Sequence, residues 1–225
     1  MLEEILPPFV AVAAVREDVV DAPLFPEEEE AVGRAVEKRR REFVTGRACA
    51  RAALAQLGAE SQPIPSGPRG APQWPNGFVG SITHCDGYRA AAVARAGELA
   101  SLGIDAEPNQ PLPTGVLADI ALPEEVESLR RLQRESPAVH WDRLLFCMKE
   151  AVYKAWFPLA ERWLGFEDAA IVIDPARGSF AARLLVQGPR VAGGELQGFS
   201  GRWLARDAIV LAAIAQAHHY PTNER

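Results

Sequence analysis

The sequence predicts an α+β fold built from two similar halves, and three observations carry that prediction. A strand, a short helix, a long helix and antiparallel strands succeed one another over residues 9–95, and the same order returns over residues 99–215. Each half holds one long run of apolar residues at helical spacing. Short apolar segments bounded by glycine, proline and aspartate flank those runs and read as strands. The division expected is residues 1–98 and residues 99–225, with a ligand crevice between them. The repetition is one of element order, with no evident residue-level repeat.

Taken in order, residues 9–15 form a short apolar run without helical period, hence a strand. Pro26 followed by Glu27, Glu28, Glu29 and Glu30 suits a helix start, since carboxylates favour the positive end of the helix dipole. Over residues 34–57, Val36, Phe43, Ala50, Ala53, Leu54 and Leu57 recur at helical spacing, and Gly58 is a suitable stop. Residues 59–77, rich in proline and glycine, read as a surface loop and a candidate ligand-binding one. Strands at 78–84, 88–95 and 99–106, joined by tight glycine-containing turns, make an antiparallel meander. A second proline-rich loop covers 109–115, and Pro123 opens a helix to about residue 134. The next helix spans 138–157, with Ser136 capping it, Pro137 in its first turn and Pro158 closing it. Trp141, Leu144, Leu145, Met148, Val152, Ala155 and Trp156 fall on its core side, opposite Glu150 and Lys154. Strand-like runs follow at 169–174, 180–186, 198–206 and 208–215, and the tail from 218 to 225 is expected to fray.

Composition narrows the function. With 48% hydrophobic and 24% charged residues, the 225-residue chain is ordinary for a soluble globular protein. A net charge of -6 argues against a nucleic-acid partner, although Lys38, Arg39, Arg40, Arg41, Arg47 and Arg51 crowd one region where a local anion site fits. Cys49, Cys85 and Cys147 are few and dispersed, which suits a reducing cytoplasm rather than a disulfide frame or structural zinc. The start lacks the basic region of a secretory signal, and no run approaches the ~20 apolar residues of a membrane span.

Several residues could do chemistry. Asp105 and Glu107 stand at i and i+2 of a strand, so both carboxylates share one face, suited to Mg²⁺ or equally to an exposed acidic strand end. His84 closes a strand among polar neighbours. Arg40, Arg47 and Arg51 can share a helix side, with Arg39 beside them and Arg69 on the nearby loop, where they are either solvated or able to grip phosphates. Glu150 and Lys154 alone would be a solvated i, i+4 pair, with Lys149 on the flank.

Together, Gly80-Ser81-Ile82-Thr83-His84, Gly103-Ile104-Asp105-Ala106-Glu107 and Phe146-Cys147-Met148-Lys149-Glu150-Ala151-Val152-Tyr153-Lys154 resemble the signature blocks of the Sfp-type 4'-phosphopantetheinyl transferases. The Arg47 helix and the Gly70-Ala71-Pro72 loop fit upstream, so the resemblance covers nearly the whole chain. It implies a monomeric, cytoplasmic enzyme of two halves related by a pseudo-two-fold, with coenzyme A between them. Such enzymes move the phosphopantetheine arm of coenzyme A to a serine of an apo acyl or peptidyl carrier protein, releasing 3',5'-ADP. The resemblance places Asp105, Glu107 and Glu150 around Mg²⁺, with Mn²⁺ as a substitute, and Lys149 and Lys154 at the phosphates. His84 would meet a coenzyme phosphate, Arg39 and Arg47 the nucleotide end, and Glu150 would act as base. Family members often carry a lysine where this chain has Ala71, and Arg69 or the helix arginines are the candidates to compensate. Non-catalytic coenzyme A binding and Mg²⁺-dependent phosphohydrolysis are the alternatives.

Overall fold

The computed structural model describes residues 1–19 and 21–218. Its first half runs β1 (Ala11–Val15), α1 (Pro26–Val32), α2 (Glu37–Gln56), β2 (Phe78–Cys85) and β3 (Tyr88–Arg95). The second runs β4 (Ser101–Pro108), α3 (Val116–Ile120), α4 (Pro123–Glu135), α5 (Trp141–Ala160), β5 (Ala169–Asp174), β6 (Ser179–Leu184), β7 (Arg190–Val191), β8 (Gly194–Glu195), β9 (Gly198–Arg206) and β10 (Ile209–Gln216). A three-stranded sheet has the order β1-β3-β2, and a five-stranded sheet the order β4-β10-β9-β6-β5. In each, the opening strand of the half pairs antiparallel with a later one: Ala13 faces Ala91 and Asp105 faces Ala212. The α+β class with antiparallel sheets is as expected.

Alternation along the strands sorts the core. On β3, Ala90, Ala92 and Ala94 join Leu102, Ile104 and Ala106 of β4 and Leu211 and Ala213 of β10 in one cluster. The other side of β3, Ala91 and Val93, takes Ala50, Ala53 and Leu54 of α2. Likewise Val210, Ala212 and Ile214 of β10 pack on Leu144, Met148, Val152 and Ala155 of α5. The layering is therefore helix, sheet, sheet, helix.

Some expectations needed correction. The third strand does not continue the first meander: β4 covers 101–108 rather than 99–106 and pairs with β10. The turn after β3 folds back on itself, with Glu98 and Leu99 N–H both donating to the Arg95 carbonyl, and Ala100 N–H then reaches Gln216 O at 2.8 Å. α2 begins at Glu37, past the expected residue 34, and Gly58 beyond its end adopts φ +76°. α5 begins at Trp141 rather than 138, because Asn109 holds the preceding turn, accepting from His140 N–H and donating to Ala138 O. Ser136 therefore ends α4 instead of capping α5, and Pro158 lies inside the last turn of α5, which closes at Glu161 with φ 51°. Of the tail expected to fray, residues 219–225 lie outside the described residues, while a His218 ring nitrogen sits 2.6 Å from Ala96 O. Among the described residues no helix is long and apolar enough to cross a membrane.

Candidate active site

The site begins at the seam between the sheets. β2 and β4 are joined there by hydroxyls rather than a ladder: Ser81 Oγ accepts from Ile104 N–H at 3.1 Å, and Thr83 Oγ1 accepts from Ala106 N–H at 3.0 Å. Thr83 donates in turn to Asp105 Oδ1 at 3.0 Å. Behind β4, Gly103 lets α5 lie close; a Cβ there would collide with the Ala151 carbonyl oxygen and the Ala155 nitrogen. That approach brings Lys154 to Asp105, with Nζ donating to Oδ1 at 2.7 Å and to Ile104 O at 3.2 Å.

Asp105 is 5% exposed, and its Oδ2 is buried with no hydrogen-bond partner. A buried acceptor left open is costly unless something fills it. Burial, reinforced by Asp105, pushes the Glu107 carboxyl up to about 7, although Arg143 donates to its Oε2 at 2.9 Å. Burial and Asp105 also raise Glu150, against Lys154. For Lys154, burial favours the neutral amine, but Asp105 outweighs it and the pKa rises. Asp105 thus raises both other carboxyls, and its open oxygen is an acceptor of the kind a hard divalent cation takes.

Between the halves lies a cavity of about 650 Å³, reached by Arg39, Arg47, Arg69 and His84 from the first half and by Glu150, Tyr153 and Lys154 from the second. Arg47 is 4% exposed; its Nε donates to Ile64 O at 2.7 Å, and its guanidinium lies 4.2 Å from the Phe43 ring centre. Burial lowers its pKa to about 10, which still leaves it charged at neutral pH. Arg39 approaches His84 Nε2 at 2.7 Å. Burial lowers the His84 pKa; Glu42 opposes this, while Arg39 and Lys154 push the same way. Arg69 sits at φ 56° with its guanidinium 5.2 Å from the Trp163 ring centre.

One expectation is corrected. Lys149 does not line this cavity: its ammonium is buried against Glu125 Oε2 at 2.9 Å and donates to the carbonyls of Phe166 at 2.7 Å and Ala169 at 3.0 Å. Asp105, Glu107 and Glu150 stand at the seam without forming a ready cage. Among the described residues no three His, Cys, Asp or Glu side chains are placed to hold a metal ion unaided. The reason is visible, since Lys154 holds one oxygen of Asp105 and Arg143 draws Glu107.

Comparison with known proteins shows the family. The family model described as the 4'-phosphopantetheinyl transferase N-terminal domain matches residues 27–94, and that of the 4'-phosphopantetheinyl transferase superfamily matches residues 101–206. The chain is 54% identical to the 4'-phosphopantetheinyl transferase Svp of Streptomyces mobaraensis, over 100% of this chain and 92% of the relative. It is 51% identical to Npt of Nocardia iowensis, over 96% and 100%, and 48% identical to PptT of Mycobacterium tuberculosis, over 90% and 94%. The chain belongs to the 4'-phosphopantetheinyl transferase superfamily.

In this transferase, sequence reasoning missed Thr83 and Arg143 as partners of Asp105 and Glu107, because neither contact follows from local spacing. It also missed Tyr153, whose hydroxyl is buried without a partner and which lines both the main cavity and a neighbouring one of about 210 Å³. Val152, Trp163, Leu164 and Phe166 make that smaller cavity largely apolar.

Proposed function

We propose that the protein transfers the 4'-phosphopantetheine arm of coenzyme A to a serine hydroxyl of an apo acyl or peptidyl carrier protein, with Mg²⁺, releasing 3',5'-ADP. The observation that carries the reading is the cavity lined from residues 1–98 by Arg39, Arg47, Arg69 and His84 and from residues 99–225 by Glu150 and Lys154, with Asp105 buried behind Lys154. Arg39, Arg47 and Arg69 suit the nucleotide end and its 3'-phosphate, while His84 and Lys154 suit the pyrophosphate. Asp105, Glu107 and Glu150 would hold Mg²⁺, or Mn²⁺ in its place, and the ion would supply charge neutralisation at the pyrophosphate. The two halves act as the walls of a single cytoplasmic monomer related by a pseudo-two-fold.

Glu150 takes the proton of the incoming serine, directly or through water. In the metal-free protein burial and Asp105 hold its pKa above the ordinary carboxylate value, and a bound cation would lower it again. The serine oxygen bonds to the β-phosphorus as the bond to the 3',5'-ADP oxygen breaks. Such a transfer needs positioning and charge stabilisation more than covalent help. The smaller cavity offers the arm an apolar slot, and the Tyr153 hydroxyl a hydrogen bond to its amides.

Protein mixed with coenzyme A, Mg²⁺ and a panel of apo carriers should add about 340 Da to the carrier serine, read by mass spectrometry. No gain with any carrier sinks the reading. Phosphopantetheine released without a carrier would mark a phosphohydrolase, and tight coenzyme A binding without Mg²⁺-dependent turnover would mark a binding protein.

A further inference from the structure

Two buried glutamates make the same set of contacts, one in each half. Glu28 follows Phe25-Pro26-Glu27 at the start of α1, and Glu125 follows Leu122-Pro123-Glu124 at the start of α4. Each reaches back to the backbone N–H three residues earlier, Phe25 at 3.0 Å and Leu122 at 2.7 Å, satisfying a donor that a helix start leaves open. Each also accepts an N–H from a segment further along its half, Ile64 at 2.9 Å and Ile171 at 2.7 Å. Each is ion-paired with a cation of its half's long helix: Glu28 with Arg51 of α2 at 2.8 Å, Glu125 with Lys149 of α5 at 2.9 Å. Glu28 and Glu125 side chains are 0% and 1% exposed, so neither can touch a ligand in the cavity.

What differs is the wall each one holds. The segment fixed by Glu28 continues into Ile64 O and Ser66 Oγ, which receive the Arg47 guanidinium at 2.7 and 3.2 Å. The segment fixed by Glu125 and Lys149 runs through the Phe166 and Ala169 carbonyls, beside Trp163 and Leu164, and walls the smaller cavity next to Glu150. Lys149 adjoins Glu150 in the chain, so its burial also fixes which way the next side chain on α5 turns.

We infer that Glu28 and Glu125 are paired positioning residues, with Glu28 and Arg51 setting the arginine wall that binds the nucleotide and Glu125 and Lys149 setting the wall beside the catalytic carboxylate. Lys149 thus acts through Glu150 and the 163–169 segment, and not on a phosphate. The kinetic half of the test rests on the transferase reading above, whereas its binding half does not.

Glu28→Gln and Glu125→Gln keep side-chain volume and one acceptor oxygen. Coenzyme A affinity is measured by calorimetry, and kcat by arm transfer at saturating coenzyme A, on variants first shown folded by thermal melt. Misplacement of reacting groups reads out in kcat, and loss of uniform binding in affinity. Glu125→Gln should lower kcat by about tenfold or more while the coenzyme A Kd stays within about threefold. Glu28→Gln should give the reverse split, with Kd raised about tenfold and kcat within about threefold. If either fails to fold, Arg51→Lys and Lys149→Gln, which retain a donor, carry the same test. Equal effects on both quantities, no effect, or a tenfold loss of coenzyme A affinity in Lys149→Gln with kcat kept would overturn the assignment. A wild-type protein that transfers no arm indicts the functional reading instead, and the calorimetry still decides the nucleotide wall.

Discussion

The two halves meet the cavity with different sets of charged groups and different degrees of constraint. From the first half come arginines beside Glu27, Glu30 and Glu42: Arg39 and Arg69 are exposed, while Arg47 is buried between a carbonyl and an aromatic ring. The second half contributes carboxylates and Lys154, held where α5 crosses β4 at Gly103. Exposed cations suit capture of a charged nucleotide, whose phosphates can recruit them. Buried carboxylates suit a reacting centre, where geometry must be set beforehand because reorganisation during reaction costs rate.

The sharpest test of that contrast is Glu150→Gln, which removes the proton acceptor without changing volume. Transfer should fall by about 1,000-fold or more in a single-turnover assay, with the melting temperature unchanged. Turnover near wild type would move the chemistry elsewhere. Next comes Gly103→Ala, whose added methyl has backbone atoms of α5 on the other side. Destabilisation of about 3 kcal/mol or more is expected in urea unfolding, since neither strand nor helix can yield cheaply. In the looser half, Arg47→Met should raise the KM for coenzyme A about tenfold with little change in kcat.

The smallest expected effect is a pH dependence at His84. Its folded pKa lies below the ordinary 6.5, chiefly through burial. Between those two values the unfolded chain takes up a proton that the folded one resists, so this contribution to stability is present above pH 6.5 and is lost as the pH falls. Melts of wild type and His84→Gln should therefore converge on acidification, by about 2 °C. A bound pyrophosphate should reverse the trend by favouring the protonated ring.

Much of this was legible in the sequence, and the failures are instructive. That Asp105 and Glu107 share a face follows from strand period alone, and the apolar side of α5 from helical period. Periodicity says which side of an element is buried, but not what meets a residue on its flank. Lys149 sits there and dips into a carboxylate from α4, a non-local contact. β4 misled for a related reason: its short turn from β3 implied a hairpin, while its apolar alternation was equally suited to pairing with β10. The paired Pro-Glu-Glu starts at residues 26–28 and 123–125 were visible throughout. They looked like routine helix N-termini until burial showed that the last glutamate of each points inward.

One oxygen of Asp105 is shared by a threonine of the first half and a lysine of the second, and its other oxygen is left open. The carboxylate therefore works as a coincidence detector, aimed correctly only when strand, helix and opposite sheet have all arrived. A nascent chain or a clipped fragment holding the first half alone would keep its arginines but lack the carboxylate that Thr83 and Lys154 aim together.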